Sequence, residues 1–132
     1  MHTEHPNAAV ARSLWDAGAT GDREPILRLY APDAVLRSAG DNPVAGEFKG
    51  LPAILGLFAR SGELVEELRA ELLDLYASDA GAVMCYRIVA QRGPKHLDME
   101  YMFTLRIEAG RVIEGSIVPA DESRNDAFWK LD

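Results

Sequence analysis

The sequence predicts an α+β fold, with helices packed on one face of a curved, mostly antiparallel sheet. Three observations carry the prediction. Apolar residues recur at helical spacing through residues 7–60. Three runs rich in Val, Ile, Tyr, Phe and Met fill residues 81–119. Turn signals, Gly93-Pro94 and Glu108-Ala109-Gly110, separate those runs.

Each element has its own warrant. Asn7 is a candidate N-cap, and Asn7, Ala11, Leu14, Trp15 and Gly18 then share one helical face. Gly18 and Gly21 end that helix. Asp22 can cap a second one, residues 23–30, with Pro25 early, where a missing N–H costs nothing. Ile26, Leu29 and Tyr30 form its apolar side, and Pro32 stops it. Residues 33–38 read as a short strand. A turn-rich stretch follows, with a second short strand at Gly46 to Lys49, and Pro52 opens a third helix through Phe58. Three N-terminal helices are therefore expected. Residues 63–77 are ambiguous: Leu64, Leu68, Leu72 and Leu75 fit helical spacing, and propensity alone favours one long helix. Residues 81–92, 96–107 and 111–119 make an antiparallel meander. Residues 120–132 are a short polar tail whose Phe128-Trp129 pair can dock on the body.

Composition narrows the function classes. A chain of 132 residues makes one domain, 1–132, and buries roughly 68% of its unfolded surface without needing a structural metal. Fourteen basic residues against 21 acidic ones give a net charge of −7. That argues against nucleic-acid and anionic-membrane partners. No apolar run reaches a membrane span, and no signal peptide is visible, so a soluble cytoplasmic protein is expected. Cys85 is the one cysteine, which excludes an internal disulfide and a four-cysteine zinc site. His2 and His5 fall in an end expected to fray, leaving only His96, so no metal or cofactor is expected.

A turn centred on Gly93-Pro94 pairs Arg92 with Lys95. Ile88 then faces Met99, Tyr86 faces Tyr101, and Met84 faces Phe103, all on one side of the sheet. That side is uncharged and belongs against the helices. The opposite side carries Cys85, Arg87, Val89, Asp98, Glu100, Met102 and Thr104. With Val112 and Val118 it is too apolar for a free face, which points to a second copy of the chain covering it.

Several segments carry a family likeness: Gly21-Asp22, Leu29 through Val35, Asn42-Pro43, Gly46 through Gly50, Leu105-Arg106-Ile107, Gly110-Arg111-Val112 and Phe128-Trp129. In this order the chain resembles the SnoaL-like and ketosteroid-isomerase-like branch of the NTF2-like superfamily, over nearly its whole length. The resemblance implies a cone-shaped barrel with an apolar pocket at its wide end, and a homodimer formed through the outer sheet face. It also implies that Arg69 to Tyr76 is a strand, with the third helix ending near Val65 or Glu67.

The resemblance implies little of the known chemistry. The oxyanion tyrosine of the steroid isomerases matches Leu14, their base matches Ser38, and their buried acid matches Phe103. Leucine and phenylalanine donate no hydrogen bond, and an unactivated serine is no base near neutral pH. Glu114, beside inward Gly115, faces outward, so a cyclase-type acid is not supplied either. The catalytic candidates that remain are Tyr101 and Tyr86 as phenol donors, and Arg37 as an anion clamp at the pocket mouth. Leu14, Trp15, Ser38, Phe58, Tyr86, Tyr101, Phe103 and Ile117 are the expected ligand-binding residues. Two functions fit. One is a domain that binds a small, largely apolar molecule, with isomerase-, cyclase- or hydratase-type chemistry open. The alternative is a non-catalytic carrier, sensor or dimeric assembly module.

Overall fold

The computed structural model describes residues 4–131, so His2 lies outside the described residues. The order is α1 (Pro6–Thr20), α2 (Glu24–Leu29), β1 (Tyr30–Ser38), β2 (Gly46–Lys49), α3 (Leu51–Glu63), β3 (Glu67–Ser78), β4 (Gly81–Arg92), β5 (Lys95–Glu108), β6 (Arg111–Pro119) and α4 (Glu122–Trp129). The strands form one curved sheet in the order β2-β1-β6-β5-β4-β3. Only β1 and β6 run parallel. The mixed α+β architecture and the order helix, helix, strand, strand, helix are as expected, but the three helices do not all precede the sheet, and the helix at the C-terminal end was not expected. Two helices precede the sheet, α3 enters between β2 and β3, and a fourth helix follows the last strand. Among the described residues no helix is long and apolar enough to cross a membrane.

The ambiguous stretch is a strand. Leu68 pairs with Ala90, Ala70 with Ile88 and Leu72 with Tyr86; the register then shifts at Leu73, and Leu75 pairs with Met84. Without the bulge, Leu68 and Leu75 would lie on opposite sides. With it, both point inward. The spacing 68, 72, 75 therefore suits a bulged strand as well as a helix, and the long partner β4 decides between them.

The β4–β5 register is the expected one: Arg92 pairs with Lys95, Ile88 with Met99, Tyr86 with Tyr101 and Met84 with Phe103. Burial alternates strictly along β5, with Leu97, Met99, Tyr101, Phe103, Leu105 and Ile107 inside. The β5–β6 turn places Ala109 at φ 50° and Gly110 at φ 77°. Two successive positive φ values match the right-handed twist of the strands they join.

Two N-terminal expectations are corrected. His5, not Asn7, caps α1: its Nδ1 accepts from the Asn7 backbone N–H at 3.0 Å. Its Nε2 then donates to Asp79 Oδ1 at 3.0 Å, so His5 is held rather than frayed. Asn7 instead donates through Nδ2 to Ser78 O at 2.8 Å, tying α1 to the β3–β4 turn. Tyr30 begins β1 rather than ending α2, with its backbone extended at φ −92° and ψ 138°.

The tail is an ordered helix. Asp121 caps α4 by accepting from Arg124 N at 3.0 Å. Arg92 donates to the carbonyls of Phe128 and Lys130, and Lys95 to those of Ala127 and Lys130. Two cations from the β4–β5 turn thus satisfy the open carbonyls of the helix end. Asp126 Oδ1 accepts from Asp41 N and Asn42 Nδ2, which fastens the β1–β2 loop.

Close strand packing gives a direct test. A Cβ on Gly81 would sit 1.9 Å from Leu105 O, a backbone atom that cannot swing aside. Gly81→Ala is expected to lower the urea-unfolding free energy by about 1–3 kcal/mol. An unchanged midpoint would show that the strands can part there at no cost.

Candidate functional site

A cavity of about 600 Å³ opens between α1, α2, α3 and the inner sheet face. Leu14, Trp15 and Gly18 reach it from α1, and Leu55, Phe58 and Ala59 from α3. The sheet supplies Tyr30, Ala70, Met84, Tyr86, Ile88 and Phe103. Asp22, Arg23 and Ile26 complete it where α1 passes into α2. The small residues Gly18, Ala19 and Gly21 leave that end of α1 without bulk, so space remains above the sheet. Among the described lining residues Asp22 is the only carboxylate, and none is histidine. Asp22 is exposed, and its Oδ1 accepts from Glu24 N at 3.0 Å.

The structure brings together five of the eight residues expected to bind ligand: Leu14, Trp15, Phe58, Tyr86 and Phe103 all line this cavity. The other three lie elsewhere. Ser38 and Ile117 pair with each other across β1 and β6, outside the lining. Tyr101 is 9% exposed and is turned to α4, where its hydroxyl bonds Asn125 Oδ1. Trp129 Nε1 meets the same oxygen at 3.1 Å. An indole nitrogen only donates, so that Asn125 atom must be the acceptor, and the Tyr101 proton is committed to it. Tyr101 is therefore not a free phenol donor.

Arg37 also needs correction. Ser38 faces inward, so by strand alternation Arg37 faces outward. Its Nε meets Glu47 Oε2 at 3.1 Å, and Lys49 joins the same carboxylate. The two cations hold the Glu47 carboxyl below its usual range, Lys49 contributing most. Arg37 is an ion-paired outer-face residue, not a clamp at the pocket mouth.

The sequence reading missed Tyr30 in the cavity. It places Tyr30 on a helix, whereas the backbone turns extended at that residue and carries the ring to the inner sheet face. Burial pushes its hydroxyl well above the ordinary tyrosine range. Tyr86 is raised in the same direction, by burial first and then by the neighbouring Tyr101 and Tyr30. Tyr101 is raised by burial. The Tyr86 ring stacks on Tyr101 at 5.4 Å and 11°, and meets Trp15 at 5.3 Å and 53°. Trp15 and Tyr101 thus fix the plane of the ring that lines the cavity.

The carboxylates of Glu114 and Asp98 lie on the outer face, as expected. Glu114 pairs with Arg106 on the outer face. Arg87 and Asp98 form a two-pronged pair there at 2.7 and 2.6 Å. Arg87 holds the Asp98 carboxyl below its usual range. Cys85 is opposite Met102 on that same face.

The tyrosine shifts have a sign. The folded chain holds these phenol protons to higher pH than the unfolded chain, where they leave near pH 10.0. Above that pH the unfolded state binds fewer protons, so stability is full below it and falls as pH rises further. Urea titrations are expected to show this alkaline fall, and Tyr30→Phe should make it shallower. An identical slope in the variant would show that Tyr30 ionises as freely in the fold as outside it.

Comparison with known proteins agrees with this architecture. The SnoaL-like domain model matches residues 11–115. A solved structure from a soil-derived mobile gene cassette, Bal32a, is 31% identical, with a TM-score of 0.89, covering 95% of this chain and 97% of its own. An NTF2-like protein from Burkholderia xenovorans shares the fold at a TM-score of 0.83 and 14% identity, over 97% of this chain and 98% of its own. An uncharacterised protein of Mycobacterium tuberculosis is 24% identical over 96% of this chain and 98% of its own length. The chain belongs to the SnoaL-like domain family and shares its fold with an NTF2-like protein.

Proposed function

We infer that the protein binds a small, largely apolar molecule in the cavity between α1, α3 and the inner sheet face. One observation carries this reading: a space of about 600 Å³, walled by aliphatic and aromatic side chains, that the chain leaves unfilled. Protein interiors pack to crystal density, so a void of this size is a feature and not slack. It falls within the usual size range of ligand pockets. The cavity is not a charged cradle, and its one lining carboxylate is exposed at the rim. The arrangement favours binding over proton-transfer chemistry, so the carrier or sensor reading stands ahead of an isomerase, cyclase or hydratase. Of the expected contacts, Leu14, Trp15, Phe58, Tyr86 and Phe103 are retained. Tyr30 is added, and Ser38, Tyr101, Ile117 and Arg37 are set aside.

Anilinonaphthalenesulfonate, an aromatic sulfonate dye whose ring system brightens when desolvated, tests the cavity. The wild-type protein should bind it saturably. Ile88→Trp, which fills the space from the sheet side, should abolish most of the signal without lowering the melting temperature. Undiminished dye binding in a folded Ile88→Trp protein would place the dye elsewhere and remove the reading.

A homodimer through the outer sheet face accompanies this reading. Tyr76 is 58% exposed, Met102 50% and Val118 48%, and all three are large apolar or aromatic side chains. Such a patch is costly in water unless covered. Light scattering should report a dimer, and Met102→Glu with Val118→Glu should give a monomer. A wild-type monomer at micromolar concentration would contradict the dimer.

A further inference from the structure

We infer that α4 is a displaceable partition that sets the size of ligand the cavity admits, and that Asn125 is the residue that keeps it shut. With α4 docked, the cavity stops at the Tyr86–Tyr101 ring stack. With α4 lifted, the same inner sheet face continues past Tyr101 and takes a larger apolar molecule. The inference rests on the cavity-binding reading above and adds what limits the size of the ligand.

Three observations converge. The inner sheet face is longer than the cavity. Of the inward side chains of β5 only Phe103 lines the space, whereas Leu97, Met99 and Tyr101, toward the β4–β5 turn, are buried without reaching it. α4 packs on β5 and β6 and meets the inward Tyr101 there. Second, α4 is lightly held. Its eight residues fall below the length at which a helix stands alone in water, and it buries only Asn125, Phe128 and Trp129. Its other ties lie at its periphery: Arg92 and Lys95 on its last carbonyls, and Asp126 on the β1–β2 loop. An element with few buried apolar side chains opens at the low end of a protein's range of local stability. Third, the buried face of α4 is centred on an amide. Asn125 Oδ1 accepts from both Tyr101 and Trp129. All three groups can exchange those hydrogen bonds for bonds to water when α4 lifts, which keeps the contact reversible.

Ligand size decides which state is favoured. Lifting α4 uncovers Tyr101 and exposes Phe128 and Trp129, and a large apolar ligand seated on the uncovered strip restores part of that burial. A small ligand fits beside the docked helix. It touches the open and closed states alike, so it shifts nothing between them. A large ligand binds only the open state, and its apparent affinity scales with the fraction of molecules in which α4 is open. Loosening α4 therefore tightens the binding of a large ligand and leaves a small one unchanged.

Anilinonaphthalenesulfonate and its covalent dimer, bis-anilinonaphthalenesulfonate, are a small and a large probe of one chemistry. Dissociation constants would be measured for both with the wild-type chain, with Asn125→Ala, and with Arg92→Met combined with Lys95→Met, which loosens α4 from outside. Melting temperatures verify folding, and if Asn125→Ala does not fold the double variant decides alone. The ratio of the large-probe Kd to the small-probe Kd should fall about tenfold in Asn125→Ala and about threefold in the double variant. Adding Ile88→Trp to either should remove the gain, because the new space is continuous with the cavity. Hydrogen exchange should show the amides of α4 losing protection when the large probe binds and keeping it when the small one does. A ratio unmoved in the folded variants, a gain that survives Ile88→Trp, or α4 protection unchanged by the bound large probe would each overturn the partition while leaving the cavity reading intact. Failure of the small probe to bind the wild-type chain would overturn the cavity reading, and this inference with it.

Discussion

The register of the β4–β5 hairpin is the constraint on which the rest depends. Side chains alternate along a strand, so a one-residue slip would exchange the two faces of the sheet. The pairing of Arg92 with Lys95 sets Met84, Tyr86, Ile88, Met99, Tyr101 and Phe103 inward. The same pairing places Arg87 against Asp98 and Cys85 against Met102 outward. A slip would bury an arginine and an aspartate against the helices and turn two tyrosines to water. Burial of the inner set and pairing of the outer charges therefore oppose the same error from opposite sides.

That register also couples the C-terminal helix to the cavity. Tyr101 is the hinge of the arrangement: one face of its ring carries Tyr86, and its hydroxyl is held by Asn125 of α4. Asn125 is 4% exposed and is the one buried polar residue among those described. Its oxygen serves two donors, Tyr101 and Trp129, so it is a satisfied buried group rather than a burden on the fold. The chain of contacts runs from α4 through Tyr101 and Tyr86 to Trp15 on α1, spanning both ends of the sequence.

How much of this was legible beforehand depends on range. The hairpins were readable because their signals are local: Gly93-Pro94 and Ala109-Gly110 mark the turns, and alternation marks the faces. The strand β3 was not legible from propensity. Its leucine spacing satisfies a helix, and only the bulge at Leu73 and the partner strand resolve it. A likeness to known proteins settled that stretch where local chemistry could not. Tyr30 was misread because Ile26, Leu29 and Tyr30 continue a helical stripe, and nothing local marks where the backbone becomes extended. Arg37 and Tyr101 were misassigned because their partners, Glu47 and Asn125, are fixed by tertiary placement. The polar character of residues 120–132 concealed an ordered helix, since its capping donors come from Arg92 and Lys95 far away in sequence.

The parallel contact between β1 and β6 has a consequence for how the chain comes into being. Leu36 lies beside Gly115 and Arg37 beside Ser116, so strands near opposite ends of the sequence are neighbours. During synthesis β1 emerges early and must wait, with its apolar residues Ala34 and Leu36 uncovered, until β6 has left the ribosome. The β3–β4–β5 meander can assemble meanwhile, because its contacts are sequential. Closure of the sheet is therefore a late, non-local event, the kind that slows folding. Until it occurs the nascent protein presents an open strand edge along β1 that the finished sheet no longer has.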